Sequence, residues 1–438
     1  MQVSVETTSE LNRKMTVHVP EDKIQEQVAS RLRSLAGKVK IDGFRPGKVP
    51  QSLIRKRFGS SVREEVLADM IQTSFYDAIR EEKLNPVGGP LITPQESAEG
   101  QGLKYVADFE VMPEFVLMPL EVMEVKRFTS EVTAEDLDGM ILRLREQRKV
   151  WHEVERPAAV NDRVIINFEG RTGDETFTEG PVKNFSVVLG SKQLVAGFED
   201  KLIGTTPGAH LAFELSFPSD YGNEKLAGKT AQFSVEVTKI EEGVLPEVDA
   251  AFVKAFGIED GDEQNFRADV KANMEREMNR ALQARTKNSV MDVLFERNSS
   301  LSVPRVLIEQ ELARLIEPYK QAAQKSNQKV DDAQLKQRLE PVAKRRVALG
   351  LILNKIIDVN RLSVDQKRVR VAVEELAMSY ENPEQVVNWY YSNHDQLKQV
   401  ESMVLEDQVV DAVLANAKTA DEEISFKDLM QSPQEDNA

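Results

Sequence analysis

The chain has 438 residues, a formal net charge of −16, 41% hydrophobic and 30% charged residues, and no cysteine. That length suits roughly three domains, each able to bury a core, and the missing thiols exclude disulfides, thiolate metal centres and cysteine nucleophiles. The acidic total speaks against general coating of nucleic acid, and the four histidines (His18, His152, His210 and His394) have no metal-ligand spacing, so neither metal nor cofactor is expected.

In chain order, residues 1–20 alternate polar and apolar, without the apolar core of a signal segment. No stretch approaches the ~18 apolar residues of a membrane span, so a cytoplasmic protein without a membrane partner is expected. Residues 14–19 read as a strand, with Met15, Val17 and Val19 on one face. Pro20-Glu21-Asp22 opens a helix carrying Ile24, Val28, Leu32 and Leu35 on one side. Pro50 suits the start of a short helix with Leu53 and Ile54. A longer helix with Val62, Val66, Met70, Phe75 and Ile79 follows, and Pro86-Val87-Gly88-Gly89-Pro90 breaks it. Strands near 91–93 and 103–111 complete an α+β domain over 1–112.

Residues 113–127 look extended. Thr133, with Asp136 three residues on, caps a helix bearing Leu137, Ile141 and Leu144, so 113–150 reads as a linker and helix. Residues 151–243 form a β-rich unit with strands near 164–168, 185–189, 211–217 and 231–240. From 244 to 438 the pattern is helical. Phe266, Val270, Met274, Met278 and Leu282 recur every four residues in a helix of over thirty, capped near Asp262. Further helices start at Pro304, at Asp331 or Asp332 (with Pro341 expected to kink it), after Ser363, at Pro383 and near Asp395. The tail from Asp421 is acidic and is expected to fray. From Asp365 to Ala438 there are 16 acids against 6 bases. The chain is thus multidomain: an N-terminal α+β domain, a compact β-rich unit and a long-helix C-terminal part.

Two places carry chemistry. The first is Gly43-Phe44-Arg45-Pro46-Gly47-Lys48-Val49-Pro50. Its prolines block helix propagation and its glycines permit φ > 0, so the run is a tight loop holding an aromatic between cations. From Arg31 to Arg57 there are nine basic residues (Arg31, Arg33, Lys38, Lys40, Arg45, Lys48, Arg55, Lys56, Arg57) and one acid, Asp42. A basic tip on an acidic protein suggests a localised, phosphate-rich partner. The plainer alternative is a solvated loop with Phe44 folded back onto a neighbouring helix.

The second is the β-rich unit, with Phe168, Phe177, Phe185, Phe198, Phe213, Phe217, Tyr221 and Phe233 but no Ser/His/Asp set, no paired carboxylates and no phosphate-cradling loop. A site built this way works by shape and apolarity, which suits rotation of an X-Pro bond. That barrier, ~18–20 kcal/mol, comes from amide resonance and needs no nucleophile. An apolar, water-excluding cleft that holds the twisted amide lowers it. Equally, these aromatics could be core alone.

Asp162-Arg163-Val164-Ile165-Ile166-Asn167-Phe168-Glu169-Gly170, Val188-Leu189-Gly190, Gly197-Phe198-Glu199 and Phe217-Pro218-Ser219-Asp220-Tyr221 resemble the FKBP-type prolyl isomerases in order and spacing. The resemblance implies a half-barrel whose proline cleft is Phe168, Phe177, Phe185, Leu194, Val195, Phe198, Tyr221, Leu226 and Phe233. Phe198 stands where many relatives carry Trp, and Thr178 where they often carry Asp. Loop, isomerase-like unit and long helices together resemble the bacterial trigger factor family over nearly the whole length.

That second resemblance implies a ribosome-associated chaperone that binds nascent polypeptides, with roles in protein folding, export and cell division. Gly43, Phe44, Arg45, Pro46, Gly47 and Lys48 would dock at protein and rRNA of the large ribosomal subunit near the exit tunnel, although Pro46 departs from the family's frequent Lys. The helical part would hold unfolded and nascent chains, and a homodimer would form off the ribosome. Met274, Met278, Met291, Met378 and Met403 could adapt to many clients or fill ordinary helix interfaces. The alternatives are a free FKBP-type isomerase whose helices serve dimerisation, and a scaffold with an inactive module.

Overall fold

The computed structural model describes residues 1–39, 44, 49–96, 98, 100–172, 175–176, 180–219, 221, 226–326, 331–378, 380 and 382–431. Its elements, in chain order, begin with β1 (Gln2–Thr7), β2 (Asn12–Val19), α1 (Glu21–Lys38), α2 (Gln51–Glu81), β3 (Pro86–Glu96), β4 (Leu103–Val111) and β5 (Glu124–Thr129). The middle holds α3 (Ala134–Gln147), β6 (Val150–Glu153), β7 (Arg163–Thr172), β8 (Glu175–Thr176), β9 (Val182–Val188), α4 (Phe198–Leu202), β10 (His210–Ser216) and β11 (Thr230–Val244). Then come α5 (Ala250–Lys254), α6 (Glu263–Arg297), α7 (Arg305–Ser326), α8 (Asp332–Asn360), α9 (Gln366–Ala377), α10 (Pro383–Ser392), α11 (His394–Asn416), β12 (Lys418–Glu423) and α12 (Phe426–Gln431). Packing divides the chain into two units, 1–129 with 283–423, and 130–282 with 424–431.

In the first unit an antiparallel sheet runs β1-β2-β4-β3. Met15, Val17 and Val19 alternate inward from β2 and meet Leu103, Tyr105, Ala107 and Phe109 of β4. Ile24 of α1 and Phe75, Ala78 and Ile79 of α2 close that core. The one polar atom brought in by Tyr105 is satisfied, its hydroxyl lying 2.8 Å from Ser74 Oγ. A second cluster, Leu32, Val49, Ile54, Val62 and Val66, zips α1 to α2 toward the loop that joins them.

Three expectations change here. The two helices expected after Pro50 are one helix of 31 residues. Gly59 does not break it: a glycine in a helix costs only about 1 kcal/mol, less than burying Ile54, Val62 and Val66 against α1 returns. The Pro86–Pro90 run is not a breaker between helix and strand but the first half of β3, with a register shift between Val87 and Leu91. Gly88 sits there at φ +73°, and a Cβ on it would lie 2.6 Å from Val306 Cγ1 of α7, so only glycine admits that close approach. β1, which extends the sheet beyond the expected strand, completes a hairpin with β2.

The rest of this unit is helical. Val290 and Leu294 of α6, Ile352 and Ile356 of α8, and Val409 and Val413 of α11 surround Leu120, Met123 and Val125. β5 pairs in parallel with β12, Glu124 opposite Lys418 through Thr129 opposite Glu423, and Arg127 clasps Asp421 through Nε at 2.7 Å and Nη2 at 2.8 Å. The expectation that the tail frays from Asp421 therefore fails as far as Gln431: 418–423 is a strand paired with β5 and 426–431 a helix that buries Phe426 and Leu429; residues 432–438 lie outside the described residues.

In the second unit an antiparallel half-barrel has the order β10-β11-β7-β8, with β6 also paired to β11 and β9 to β7. Beside it, Leu137 and Ile141 of α3 pack with Phe252, Phe266, Val270, Met274 and Met278, and with Phe426 and Leu429 of α12. The α3 cap is the expected box: Asp136 N–H donates to Thr133 Oγ1 (3.2 Å) and Thr133 N–H to Asp136 Oδ2 (3.1 Å). Asp331 caps α8 and Asp365 caps α9. Pro341 lies inside α8, which continues as helix on both sides. The methionines divide: Met274, Met278 and Met291 are core, Met378 and Met403 exposed.

Candidate active site and docking loop

The half-barrel core is Val164, Ile166, Val187, Leu189, Leu202, Val235, Val237 and Ile240, all but fully buried. Above it the aromatics form a graded surface. Phe198 opens α4 directly after Gly197, whose φ of +87° turns the chain so that the ring faces inward. Its ring stands edge-on to Phe233 (5.2 Å, 89°), Phe213 (5.2 Å, 78°) and Phe168 (6.1 Å, 74°). Edge-to-face pairs of this kind are favoured by the ring quadrupoles. Phe198 and Phe233 are buried, Leu226 is buried beside them, and Phe168, Leu194 and Val195 are half-buried.

At the rim, Phe185 of β9 is 37% exposed and touches Phe168 edge-on at 5.5 Å. Tyr221 is 41% exposed and leans on Phe217 at 4.7 Å. The arrangement is a floor of buried rings with exposed rings around it. Phe198, Leu226 and Phe233 are therefore core residues, while Phe185 and Tyr221 are open to solvent beside them. Phe177 lies outside the described residues, as does Thr178. Phe213 and Phe217 also belong to the ring network, although the motif comparison did not place them in the cleft.

The loop between β9 and α4 supplies Leu194 and Val195, and a buried carboxylate organises it. Glu199 accepts from the backbone N–H of Gly190 (2.8 Å) and Lys192 (3.1 Å) at Oε2, and from Gln193 N–H (3.0 Å) and Ser191 Oγ (3.2 Å) at Oε1. Burial alone raises its pKa, but the N–H donors of Lys192, Gly190, Gln193 and Leu194 outweigh burial and hold the carboxyl below the ordinary glutamate range. Across the loop, Leu189 N–H donates to Asp162 O (2.9 Å) and Asn161 N–H to Leu189 O (2.8 Å). Asp162 is gripped in turn by Arg156 through Nη1 (2.6 Å) and Nη2 (3.0 Å). Neither carboxylate was assigned a role from the sequence. The signal for Glu199 was an acid directly after a floor aromatic, one turn from a glycine-led bend.

In the first unit α1 ends at Lys38 and α2 begins at Gln51, so the Gly-Phe-Arg loop joins the ends of a helical hairpin. Phe44 is 42% exposed; Gly43, Arg45, Pro46, Gly47 and Lys48 lie outside the described residues. Val49 turns inward and is buried, which anchors the loop's return. The cation count of the sequence needs one correction. Arg31 pairs with Glu65 of α2, so part of the positive stretch is balanced by an acid lying beyond it. Arg57 lies 5.8 Å from the Phe58 ring centre.

Residues 1–144 match the family described as bacterial trigger factor protein, 264–415 its C-terminus, and 154–238 the FKBP-type peptidyl-prolyl cis-trans isomerases. A trigger factor of Stutzerimonas stutzeri (strain A1501) is 45% identical over 98% of both chains. One of Pseudomonas aeruginosa (strain LESB58) is 44% identical, again over 98% of both. The fold is shared with a solved trigger factor chaperone, described for promiscuous substrate recognition in folding and assembly, at a TM-score of 0.51 and 17% identity over 95% of this chain and 99% of that one. Full-length relatedness does not favour a free isomerase with incidental helices. Among the described residues no helix is long and apolar enough to cross a membrane. The chain belongs to the trigger factor family: it is a ribosome-associated chaperone with an FKBP-type peptidyl-prolyl isomerase domain.

Proposed function

We propose that Gly43, Phe44, Arg45, Pro46, Gly47 and Lys48 dock the protein at the exit tunnel of the large ribosomal subunit. Phe44 enters an apolar pocket of a ribosomal protein, and Arg45 and Lys48 meet rRNA phosphates. The observation that carries this is Phe44, a large apolar ring left in solvent at the turn of a helical hairpin whose neighbouring valine is buried. Binding residues are disproportionately found on loops that a packed scaffold positions. In the same reading 1–112 is the docking domain, 113–150 the linker, 151–243 the isomerase and 244–438 the client-holding part. The protein works in the cytoplasm and forms a homodimer off the ribosome.

The isomerase acts through Phe168, Phe177, Phe185, Leu194, Val195, Phe198, Tyr221, Leu226 and Phe233. A proline ring seated on the buried floor exchanges water for aromatic edges. The twisted amide has lost resonance and charge separation, so an apolar cleft favours it over the planar ground state. Clients are held by exposed apolar side chains of the helical part, among them Met378, Tyr380, Trp389, Tyr391 and Met403. Flexible thioethers and broad aromatic faces bind varied sequences at low cost in repacking.

The test is cosedimentation with ribosomes. Phe44→Ala with Arg45→Ala and Lys48→Ala abolishes binding and leaves isomerisation of a proline tetrapeptide at wild-type rate. Binding by the single Arg45→Ala variant becomes less sensitive to salt, because fewer counterions are released from rRNA. Undiminished cosedimentation of the triple variant overturns the docking assignment.

A further inference from the structure

We propose that Glu199 is a positioning residue of the isomerase: its carboxylate holds residues 190–193 in the conformation that sets Leu194 and Val195 as the wall of the proline cleft. The proposal rests on the cleft reading given above. Its starting point is a buried anion that the reaction does not use. Glu199 is 7% exposed and follows the floor residue Phe198 in α4, a helix of five residues. No cation approaches it among the contacts that lower its pKa; all four are backbone N–H donors of the loop.

The loop needs such a clamp. Gly190 has φ +91° and Lys192 φ +57°, so two of three consecutive residues sit in the left-handed region. For lysine that conformation costs of order 1 kcal/mol. It persists because the N–H groups of Gly190, Lys192 and Gln193 converge on one side chain. Both oxygens of that side chain must accept, since the backbone partners on each of them are obligatory donors: Gly190 and Lys192 on Oε2, Gln193 on Oε1. A carboxylate meets this demand. A glutamine of the same length does not: its amide NH2 must face either two backbone N–H groups or the Gln193 N–H and the Ser191 hydroxyl. Val195 O then accepts from Phe198 N–H at 3.0 Å, so the wall residue is tied to the floor residue at one end and to the clamped loop at the other.

A preformed wall lets substrate bind without first ordering the loop. Loosening the wall weakens ground state and transition state alike, which raises KM and leaves kcat nearly unchanged. The experiment compares full-length wild type, Glu199→Gln, Ser191→Ala and Phe185→Ala with a proline tetrapeptide. Thermal unfolding is followed, and the amide proton shifts of Gly190, Lys192 and Gln193 are recorded. Glu199→Gln is expected to lower kcat/KM about tenfold, through KM, since an unpaired buried donor is worth about one factor of ten or more. The three amide signals move upfield. Ser191→Ala, which removes only the hydroxyl donor, stays within about twofold.

If Glu199→Gln shifts the unfolding temperature but keeps kcat/KM within twofold of wild type, Glu199 is merely structural and the proposal fails. A fall carried by kcat alone overturns it as well. Phe185→Ala separates the two readings. Loss of activity in Phe185→Ala with none in Glu199→Gln sinks only the positioning role, whereas full activity in Phe185→Ala sinks the cleft itself.

Discussion

Truncating Phe185 to alanine tests the isomerase cleft where stability interferes least. The ring is 37% exposed, and a phenylalanine presents ~200 Å² in all. The part left open to a substrate is therefore ~75 Å², worth ~2 kcal/mol when a proline ring covers it at ~25 cal/mol per Å². Full coverage corresponds to a loss of about 25-fold in kcat/KM and half coverage to about fivefold. The expected result lies between those bounds. The fold loses little, since the main ring contact removed is the edge-on pair with Phe168 at 5.5 Å, worth about 0.5–1.5 kcal/mol. The assay is isomerisation of a proline tetrapeptide by the full chain, with urea unfolding to verify the folded fraction and ribosome cosedimentation to verify the other unit. A folded Phe185→Ala protein whose kcat/KM stays within twofold of wild type refutes the reasoning, because the exposed ring would then not touch the substrate.

Two further outcomes follow from the same structure. Phe198→Ala removes a buried ring with three edge-on neighbours and costs about 3–5 kcal/mol; it unfolds the isomerase domain at lower urea than Phe185→Ala does, and equal midpoints would contradict the buried floor. Glu21 and Arg63 form a bidentate pair (2.7 and 2.9 Å) joined by Gly102 N–H at 3.2 Å, and the hydrogen bond from Arg63 lowers the Glu21 pKa to about 2 from an ordinary 4.5. The folded value is depressed, so the pair stabilises the fold fully above about pH 4.5 and loses this as pH falls toward 2. The contribution is about 1–3 kcal/mol, reduced by partial exposure. Urea midpoints of wild type and Glu21→Gln should differ at pH 7 and lose most of that gap by pH 2.5; an equal gap at both would show that the carboxylate's charge plays no part.

Much of the molecule was legible because its signals are local. Thr133 with Asp136, Asp331 and Asp262 announce helix starts through side chains that satisfy N–H groups two or three residues away, whereas α9, expected after Ser363, is capped by Asp365. The β7, β9, β10 and β11 strands declare themselves by composition and alternation, and the aromatic floor by motif. What stayed hidden depends on distant partners. Leu53–Ile54 and Val62–Ile79 read as two helices until the α1 face that buries Ile54, Val62 and Val66 together is present. Gly88-Gly89 reads as a turn until α7 approaches through Val306. Arg31 reads as a free cation until Glu65 arrives from the next helix. Glu199 carries no assigned role until four donors of its own loop close around it.

The sequence by itself determined most of the helices and the half-barrel strands, the order of α+β domain, isomerase and helical part, and the aromatic composition of the β-rich unit. Periodicity and capping act over a few residues, and a chain carries them wherever it goes. The tertiary structure alone decided that the acidic tail pairs as β12 with β5, with Asp421 on Arg127, 294 residues apart; that Met274 and Met278 are core while Met378 and Met403 face solvent; and that Phe185 is rim where Phe198 is floor. Each of these turns on what fills the space opposite a side chain, and burial and pairing arise only between surfaces that folding brings together.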